Sequence, residues 1–394
     1  MTGCCGTDEG QCGCDGTSDL LPVLPEIRHE DVCCGPPPGP SGNPYERPGY
    51  TLCHFVDGFQ DTPVGMVPKI KTDLRKKDVL GTIRTRLGIG RYSYLVAPGL
   101  YCVGRPGPES PVLVTANYKL SFDALRKELD AVDAWVLVID TRGINVWCAA
   151  GKALFSTQEV VRRVLRVGLS KVVRHRELIL PQLSATGVSA VQVHKESGFK
   201  VVWGPIRARD VKKFLESGMK ADKAMRRVSF TLKERVILIP VEISMIIKPS
   251  LWILLAIFMI SGIGYEIFSF NAALIRGLKV TAAYAGGIFA GAVVTPLFLP
   301  WIPGRSFSLK GMMTGVLLGI AFIFPAGEAL GGWESFSALF CIIAVSSYLA
   351  MNFTGSTPFT SPSGVEKEMR KALPIQALAI FIAAITWVGS AFTG

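Results

Sequence analysis

Charge is scarce toward the C-terminus of this chain. Downstream of Pro249 the charged residues are Glu266, Arg276, Lys279, Arg305, Lys310, Glu328, Glu334, Glu366, Lys367, Glu368, Arg370 and Lys371, and long apolar runs fill the gaps between them. A surface that faces water carries dense charge of both signs, so this composition excludes a second water-soluble domain and implies two solvents for one sequence. Other absences narrow the function. The first forty residues hold no apolar run, which excludes a cleavable secretory signal, so the large N-terminal part is expected to stay on the side where it is made. The ten cysteines include no Cys-x-x-Cys spacing, which excludes a zinc finger and a bacterial ferredoxin run. Gly151-Lys152 is followed by Ala153, and Gly143 lies too far upstream, which excludes a phosphate-binding loop. The net charge of +11 comes from basic residues interleaved with acids, with no aromatic-plus-basic module; nucleic acid is therefore not an expected partner.

What is present begins with about five apolar runs, near 250–269, 280–300, 311–330, 335–353 and 374–393. Each approaches the ~20 residues needed to cross a bilayer core of about 30 Å. With the N-terminal part in the cytoplasm, Arg305, Lys310, Lys367, Arg370 and Lys371 fall in cytoplasmic loops, as the positive-inside tendency asks. Arg276 and Lys279 fall in the first outer loop, against it. Glu266 and Glu328 read as interface residues at span ends. The Ser/Thr/Pro-rich loop 352–364 faces the cytoplasm, either as a docking element or as a connector. A reducing cytosol keeps cysteines as thiols. Cys4, Cys5, Cys12, Cys14, Cys33 and Cys34 crowd an N-terminal segment that also carries PPPGPSGNP. That segment reads as an extended tail, and its adjacent thiol pairs leave a soft two-coordinate metal site open as a second reading.

Between tail and spans the chain alternates strand-like and helix-like segments. Residues 92–103 carry turn signals at Pro98-Gly99, and PVLVTAN (111–117) reads as a short buried strand. Ser121 is placed to cap a helix with the apolar face Phe122, Leu125, Leu129 and Val132. AWVLVID (134–140) reads as a strand covered on both faces. Ser156-Thr157-Gln158-Glu159 is a capping box before a helix faced by Val160, Val161, Val164 and Leu165. FKVVW (199–203) ends at Gly204-Pro205, and a basic amphipathic helix follows over about 207–215. Such alternation implies a parallel sheet with right-handed crossovers, whose ligands bind beyond the carboxyl ends of the strands. That rule singles out 115–117, 140–152 and 204–206.

The middle stretch contains NVWCAAGK, residues 145–152, with one cysteine and no second ligand beside it. Three readings of Cys148 stand open on residue types alone. A solitary Cys among Ala and Trp is most often a small buried hydrophobe. A nucleophile needs a base, for which His175 and His194 are candidates without a local signature. A single axial thiolate to a metal already held by a macrocycle needs no second protein ligand, and the small residues Ala149, Ala150 and Gly151 let backbone approach a flat ring.

Asn145-Val146-Trp147-Cys148-Ala149-Ala150-Gly151-Lys152 matches, position by position, the signature of the HgcA family, the membrane-bound corrinoid proteins of microbial mercury methylation. VTANYKLSFD (114–123), VIDTRGINVWCAAGK (138–152) and GPIRARD (204–210) resemble family segments too. The resemblance implies a Rossmann-like α/β corrinoid-binding domain with a parallel sheet, followed by an all-α transmembrane domain of about five helices. The chain is expected to divide into a Cys/Pro/Gly-rich tail (1–44), the corrinoid domain (45–235) and the membrane domain (236–394) in the cytoplasmic membrane. The cysteine-rich first fifteen residues are not carried over from the family.

In that family the octet is a cap helix over cobalt and its cysteine is the lower axial ligand, which implies that role for Cys148. Asn145, Val146, Trp147, Ala149, Ala150, Gly151 and Lys152 are implied to form the cap. Thr115, Asn117, Gly187, Gly204, Pro205 and Ile206 are further candidates for contacts to the corrin, with turn and strand-end roles equally open. The implied reaction moves a methyl group from methyl-Co(III) corrinoid to Hg(II), giving methylmercury. A folate-type donor supplies the methyl and a ferredoxin-like iron-sulfur partner, HgcB in the family, returns the two electrons. Two alternatives remain: a corrinoid methyl carrier for another acceptor, and a thiol-based metal-binding membrane protein without corrinoid.

Overall fold

The computed structural model describes residues 54–91, 93–326, 330–353 and 362–393. The cysteine-rich tail, Glu328 and most of the polar loop at 352–364 lie outside the described residues.

Short apolar runs assemble a seven-stranded sheet from β1 (Val56–Gln60), β2 (Val67–Ile70), β3 (Gly99–Val103), β4 (Val112–Ala116), β5 (Ala134–Ile139), β6 (Glu177–Leu180) and β7 (Lys200–Trp203). Their spatial order is β1-β2-β3-β5-β4-β6-β7. The expected parallel sheet is present in β5-β4-β6-β7, but β3 runs antiparallel to β5 and β1 antiparallel to β2. The connection 104–111 explains the reversal, because a parallel return needs a crossover of a dozen or more residues. Every residue of β3, β4 and β5 is buried. Along β5 the pleat sends Trp135, Leu137 and Ile139 into one core and Ala134, Val136 and Val138 into another. A sheet apolar on both faces must be covered on both. The helices that cover it are α2 (Lys119–Arg126), α3 (Val146–Gly151), α4 (Thr157–Arg166), α5 (Leu169–Val172), α6 (Ala190–Ser197) and α7 (Val211–Glu216), whereas α1 (Lys76–Arg86) meets the first long helix of the C-terminal region.

Two helix starts differ from expectation. α2 begins at Lys119, ahead of Ser121, because Lys119 is drawn inward: its Nζ donates to Asp123 Oδ1 at 2.6 Å and Asp78 Oδ1 at 2.8 Å. At α4, Ser156 Oγ accepts from the Glu159 N–H at 3.3 Å, but the Glu159 carboxylate does not return to the cap. It accepts instead from the Asp140 N–H at 2.9 Å and from Arg163 Nη2 at 2.8 Å. The basic helix expected at 207–215 is a 3-10 turn, Ala208–Asp210, running into α7.

Asp78, Lys119, Asp123 and Arg126 form a buried ionic cluster, each 3% exposed or less. Burial alone raises a carboxyl's pKa, yet hydrogen bonds from Lys119 and His54 and the Lys119 charge hold Asp78 well below the usual carboxylate range. One face of each partner is then satisfied, as a buried charge requires.

Among the described residues, five helices are long and apolar enough to cross a membrane: Leu232–Ser261, Phe270–Phe298, Phe307–Pro325, Gly332–Phe353 and Gly364–Phe392. The first starts well ahead of the expected 250, with Pro240 and Pro249 inside it. Between tightly packed helices in lipid there is no hydrophobic drive, so contact comes from small residues and hydroxyls. Gly311, Gly315 and Gly319 recur at one-turn spacing on the third span, and Cβ atoms there would lie 2.5 to 2.9 Å from the fourth span. Ser346 Oγ donates to Gly311 O at 2.6 Å and Thr295 Oγ1 lies 2.6 Å from Thr314 Oγ1. A π-helical turn, Phe289–Val294, precedes Pro296 in the second span, where the ring displaces the ordinary helix bonding. Arg276 and Lys279 do not sit in a loop: both lie on the second span's helix, with Lys279 Nζ 2.8 Å and Arg276 Nε 3.7 Å from Glu334 carboxylate oxygens. Neutralisation by Glu334 explains how these cations stand against the charge bias of the other loops.

Two measurements check this description. Gly315→Leu places a side chain where a Cβ already lies 2.9 Å from Ile343 Cα; the detergent-solubilised protein is expected to melt several degrees lower, since forced overpacking costs about 1–3 kcal/mol. For the ionic cluster, the depressed Asp78 pKa stabilises the fold above the ordinary carboxylate value of about 3.9, and that stability is lost as pH falls further. Denaturant midpoints followed from pH 7 to pH 2 are expected to drop most steeply below about pH 4; a flat profile there would contradict the cluster.

Candidate functional site

β4 and β5 pair in parallel with Ala116 opposite Ile139, so the residues that follow, Asn117 and Asp140, meet at the carboxyl end of the sheet. Asn117 is 1% exposed and uses its whole amide there. Nδ2 donates to Asp140 Oδ1 at 3.0 Å. Oδ1 accepts from the Thr141 N–H at 3.0 Å and the Gly143 N–H at 3.0 Å, with Thr141 Oγ1 at 2.9 Å. The N–H groups converge because the backbone turns left-handed at Arg142 (φ 53°) and Gly143 (φ 72°). Glycine takes that conformation freely, whereas at Arg142 it costs about 1–2 kcal/mol. The turn is also braced by Asp140 Oδ1, which accepts from the Arg142 N–H at 2.9 Å.

This pinned turn launches α3, the octet. Asn145 is its N-cap, Oδ1 accepting from the backbone N–H of Cys148 at 2.9 Å, so the first polar residue of the motif fixes the fourth. Ala149 and Ala150 are the buried face, 0% and 4% exposed, and pack into the core shared with Phe155 and Val188. Val146, Trp147 and Cys148 are half-buried, Gly151 is exposed and Lys152 is 6% exposed. The octet is therefore a short capped helix anchored by two alanines.

The other candidates divide. Asn117 belongs to the site as the pin of its turn. Gly187, in the loop after β6, closes on α3: a Cβ there would lie 2.3 Å from Phe155 O and 2.9 Å from Ala150 O. Its requirement is close backbone approach. Thr115 is inside β4, buried opposite Val138. Gly204 follows β7, its N–H donating to Leu180 O at 2.8 Å; Pro205 is buried, and the Ile206 N–H donates to Met225 O at 3.0 Å. These three share the carboxyl end of the sheet with the octet, farther along its edge. Sequence reasoning missed Asp140, Thr141 and Glu159 as braces, and Arg226, which bridges Gln182 Oε1 and Trp203 O across the loops after β6 and β7. The Glu159 signal was present, but the capping box concealed it.

Neither candidate base approaches the thiol. His175 precedes β6 at the opposite end of the sheet, with Nε2 2.8 Å from Ser110 O and Nδ1 accepting from the Glu177 N–H; a strand of five or six residues, roughly 17–20 Å, separates the two ends. His194 is exposed on α6. Among the described residues no three His, Cys, Asp or Glu side chains gather as a metal site.

Fold and site together define a class: a doubly wound α/β domain that presents one thiol on a short capped helix at the carboxyl end of its parallel strands, followed by a helical region with five candidate spans. Within it, residues 76–215, from α1 into α7, match the family of the CO dehydrogenase/acetyl-CoA synthase delta subunit. The chain is similar to the acetyl-CoA decarbonylase/synthase complex subunit gamma of Archaeoglobus fulgidus, 31% identical over 143 residues, which is 35% of this chain and 30% of the relative. The corresponding subunits of Methanopyrus kandleri and Methanocaldococcus jannaschii are each 32% identical, over 31% of this chain and 26% and 25% of theirs. The chain thus spans less than a third of the length of these relatives, and the matching part is the α/β domain.

Asn117→Leu tests the pin. It leaves the Thr141 and Gly143 N–H groups buried without their acceptor, at about 1–3 kcal/mol each. The expected result is a lower melting temperature together with faster amide hydrogen exchange over 140–148, and slow exchange there would show that the turn stands without Asn117.

Proposed function

We propose that this chain is a membrane-anchored, corrinoid-dependent methyltransferase of the HgcA kind, transferring a methyl group to Hg(II), with Cys148 as the axial ligand of the cobalt. The observation that carries the reading is the octet itself: one half-buried thiol on a capped helix at the ligand-binding end of a parallel sheet. The donor set fits a corrinoid. A macrocycle supplies its own equatorial donors and asks the protein for one soft axial atom, and one sulfur is what α3 offers. Cys148 would hold the cobalt of a bound corrinoid, and the group would supply a methyl-carrying metal centre made electron-rich by the sulfur, which suits transfer to a soft cation.

The chain's own residues supply position. Asn145 holds the Cys148 backbone, Ala149 and Ala150 anchor the helix, and Asn117 with Asp140 fixes the turn that leads into it. Gly187 lets the loop after β6 close on α3. Trp147, Val146, Gly151 and Lys152 complete the cap, Gly204, Pro205 and Ile206 line the same end of the sheet, and Thr115 stays inside β4 beneath it. A ferredoxin-like iron-sulfur partner of the HgcB type would supply the two electrons, and a folate-type donor system the methyl group, that such a cofactor requires. Arg305, Lys310 and, in the first turns of the fifth span, Lys367, Arg370 and Lys371 stand at the end of the helices where the first span begins after the α/β domain, which supports a cytoplasmic placement of that domain.

A second reading is favoured by the relatives, which are named as subunits of acetyl-CoA decarbonylase/synthase complexes: a methyl carrier whose natural acceptor is something other than mercury. Pre-methylated protein offered Hg(II) and, separately, a thiol acceptor distinguishes the two by which product forms first.

Cys148→Ala tests the ligand. Reconstituted with cobalamin, the variant is expected to retain pigment, to lose the sulfur-to-cobalt character of the absorption spectrum and to produce no methylmercury above background. Wild-type activity in Cys148→Ala would end the assignment.

A further inference from the structure

α1 is built inside out. Asp78 and Thr85 are buried, 1% and 2% exposed, and with Gly81 and Thr82 they make a polar stripe turned toward the domain. The opposite stripe is apolar and open to the outside: Val79, Leu80, Ile83 and Leu87 are 45–59% exposed, and Ile89 just beyond is 52% exposed. The spacing 80, 83, 87 is that of one helix face. The inward polarity is accounted for by the ionic cluster, since Asp78 receives Lys119 and Arg126. Nothing among the described residues of the α/β domain accounts for the outward apolar stripe. Single exposed apolar residues are ordinary, but four on one face of the helix and its C-cap, with Ile89 next to them, mark a surface that meets something apolar.

We infer that this face of α1 lies in the headgroup boundary of an anionic bilayer, as an interfacial helix beside the first span. The inference rests on the membrane reading above and adds to it a second, in-plane membrane contact. Two observations select lipid as the occupant. The first is charge: Lys76, Lys77, Arg84, Arg86 and Arg91 rim the stripe, and the helix's own acid, Asp78, is turned inward. A basic rim around an apolar stripe is the pattern of helices that lie in anionic interfaces. The second is continuity with the first span. α1 touches that span, and at Gly88, left-handed with φ +79°, the backbone comes so close that a Cβ would lie 2.5 Å from Ser244 Oγ. The first span, Leu232–Ser261, has 30 residues, about 45 Å, while the hydrocarbon core needs about 20. Counting that length back from Ser261 puts the boundary near residue 242 on the side of the α/β domain, so Ser244, and Gly88 against it, stand at interface depth.

The test uses the full chain in nanodiscs of phosphatidylcholine and phosphatidylglycerol in equal parts. An environment-sensitive fluorescent amino acid replaces Ile83 in one preparation and Leu255, in the first span, in another. The expected result is a blue shift and quenching by bromine-labelled lipid at both positions, with loss of iodide quenching at 83, and return of iodide quenching at 83 when Lys76→Gln, Lys77→Gln and Arg84→Gln are combined or when the lipid is phosphatidylcholine alone. A probe at 83 open to iodide in anionic nanodiscs, while 255 is quenched by lipid, overturns the interfacial helix and leaves the anchor intact. A probe at 83 shielded only after addition of an iron-sulfur protein overturns it in favour of partner docking. Iodide access at 255 as well would overturn the membrane reading itself. All of the substituted side chains point away from the domain interior, so circular dichroism of the variants is expected to match that of the parent.

Discussion

One amide, Asn117, sets where the thiol of Cys148 stands. Its position follows from sheet register: Ala116 pairs with Ile139, so the residues next in line meet, and the carbonyl oxygen of Asn117 gathers the N–H groups of Thr141 and Gly143. A buried acceptor with such partners is costly to leave unmade, about 1–3 kcal/mol for each group orphaned, and that asymmetry holds the turn in one shape, including the left-handed Arg142. The turn then fixes the first residue of α3, and Asn145 fixes the backbone of Cys148. From β4 to the Cys148 backbone, the links are hydrogen bonds of 2.9 to 3.0 Å, buried at Asn117 and half-buried at Asn145. Glu159 closes the system from the far side, holding the Asp140 N–H and the buried Arg163 guanidinium together.

The two halves of the chain solve the same packing problem in different solvents. In the α/β domain the drive is removal of apolar surface from water, and the sheet is buried on both faces. In the helical region that drive is absent, and the fourth span is held by glycines on the second and third and by hydroxyls such as Ser346 and Thr314. The ionic residues Arg276, Lys279 and Glu334 gather at the end of the bundle away from the α/β domain, where Arg276 also stacks 5.0 Å from the Trp387 ring. At the near end, Phe230, Leu238, Leu299, Phe307 and Phe353 join the first, second, third and fourth helices.

Much of this was legible in advance, and the exceptions have physical causes. The runs at 112–116, 134–139 and 200–203 announce strands by composition, and the octet's Asn145 announces the cap of a short helix. β6, only Glu177–Leu180, is too short to separate from a loop by periodicity. The antiparallel β3 depends on the length of one connection. The extent of the first span was hidden by Pro240 and Pro249, which normally end helices but sit inside this one, where a membrane helix tolerates them. Asn117 was marked as a candidate for cofactor contact, whereas its amide is consumed by the turn; no pattern in sequence reveals which of two strand-end residues will face each other until the register is known. α1 was invisible for the opposite reason: its periodicity is that of an ordinary amphipathic helix, and only the structure shows that the polar stripe faces inward.

The two described cysteines of the α/β domain show what burial does to the commonest reading of a lone thiol. Cys102 fulfils it. It is 0% exposed within β3, its sulfur is 3.6 Å from Pro68 O, and burial pushes its pKa up to about 11, which keeps it protonated and unreactive. Cys148 has similar apolar neighbours in sequence but a different place in the fold, because the alanines after it, not the cysteine, point into the core. In a helix of six residues only one face can be buried. With Ala149 and Ala150 committed to that face, Cys148 is turned toward the rim, where the loops after β4, β5 and β6 end. The run of small residues that first suggested an inert cysteine is thus what holds the sulfur out of the core.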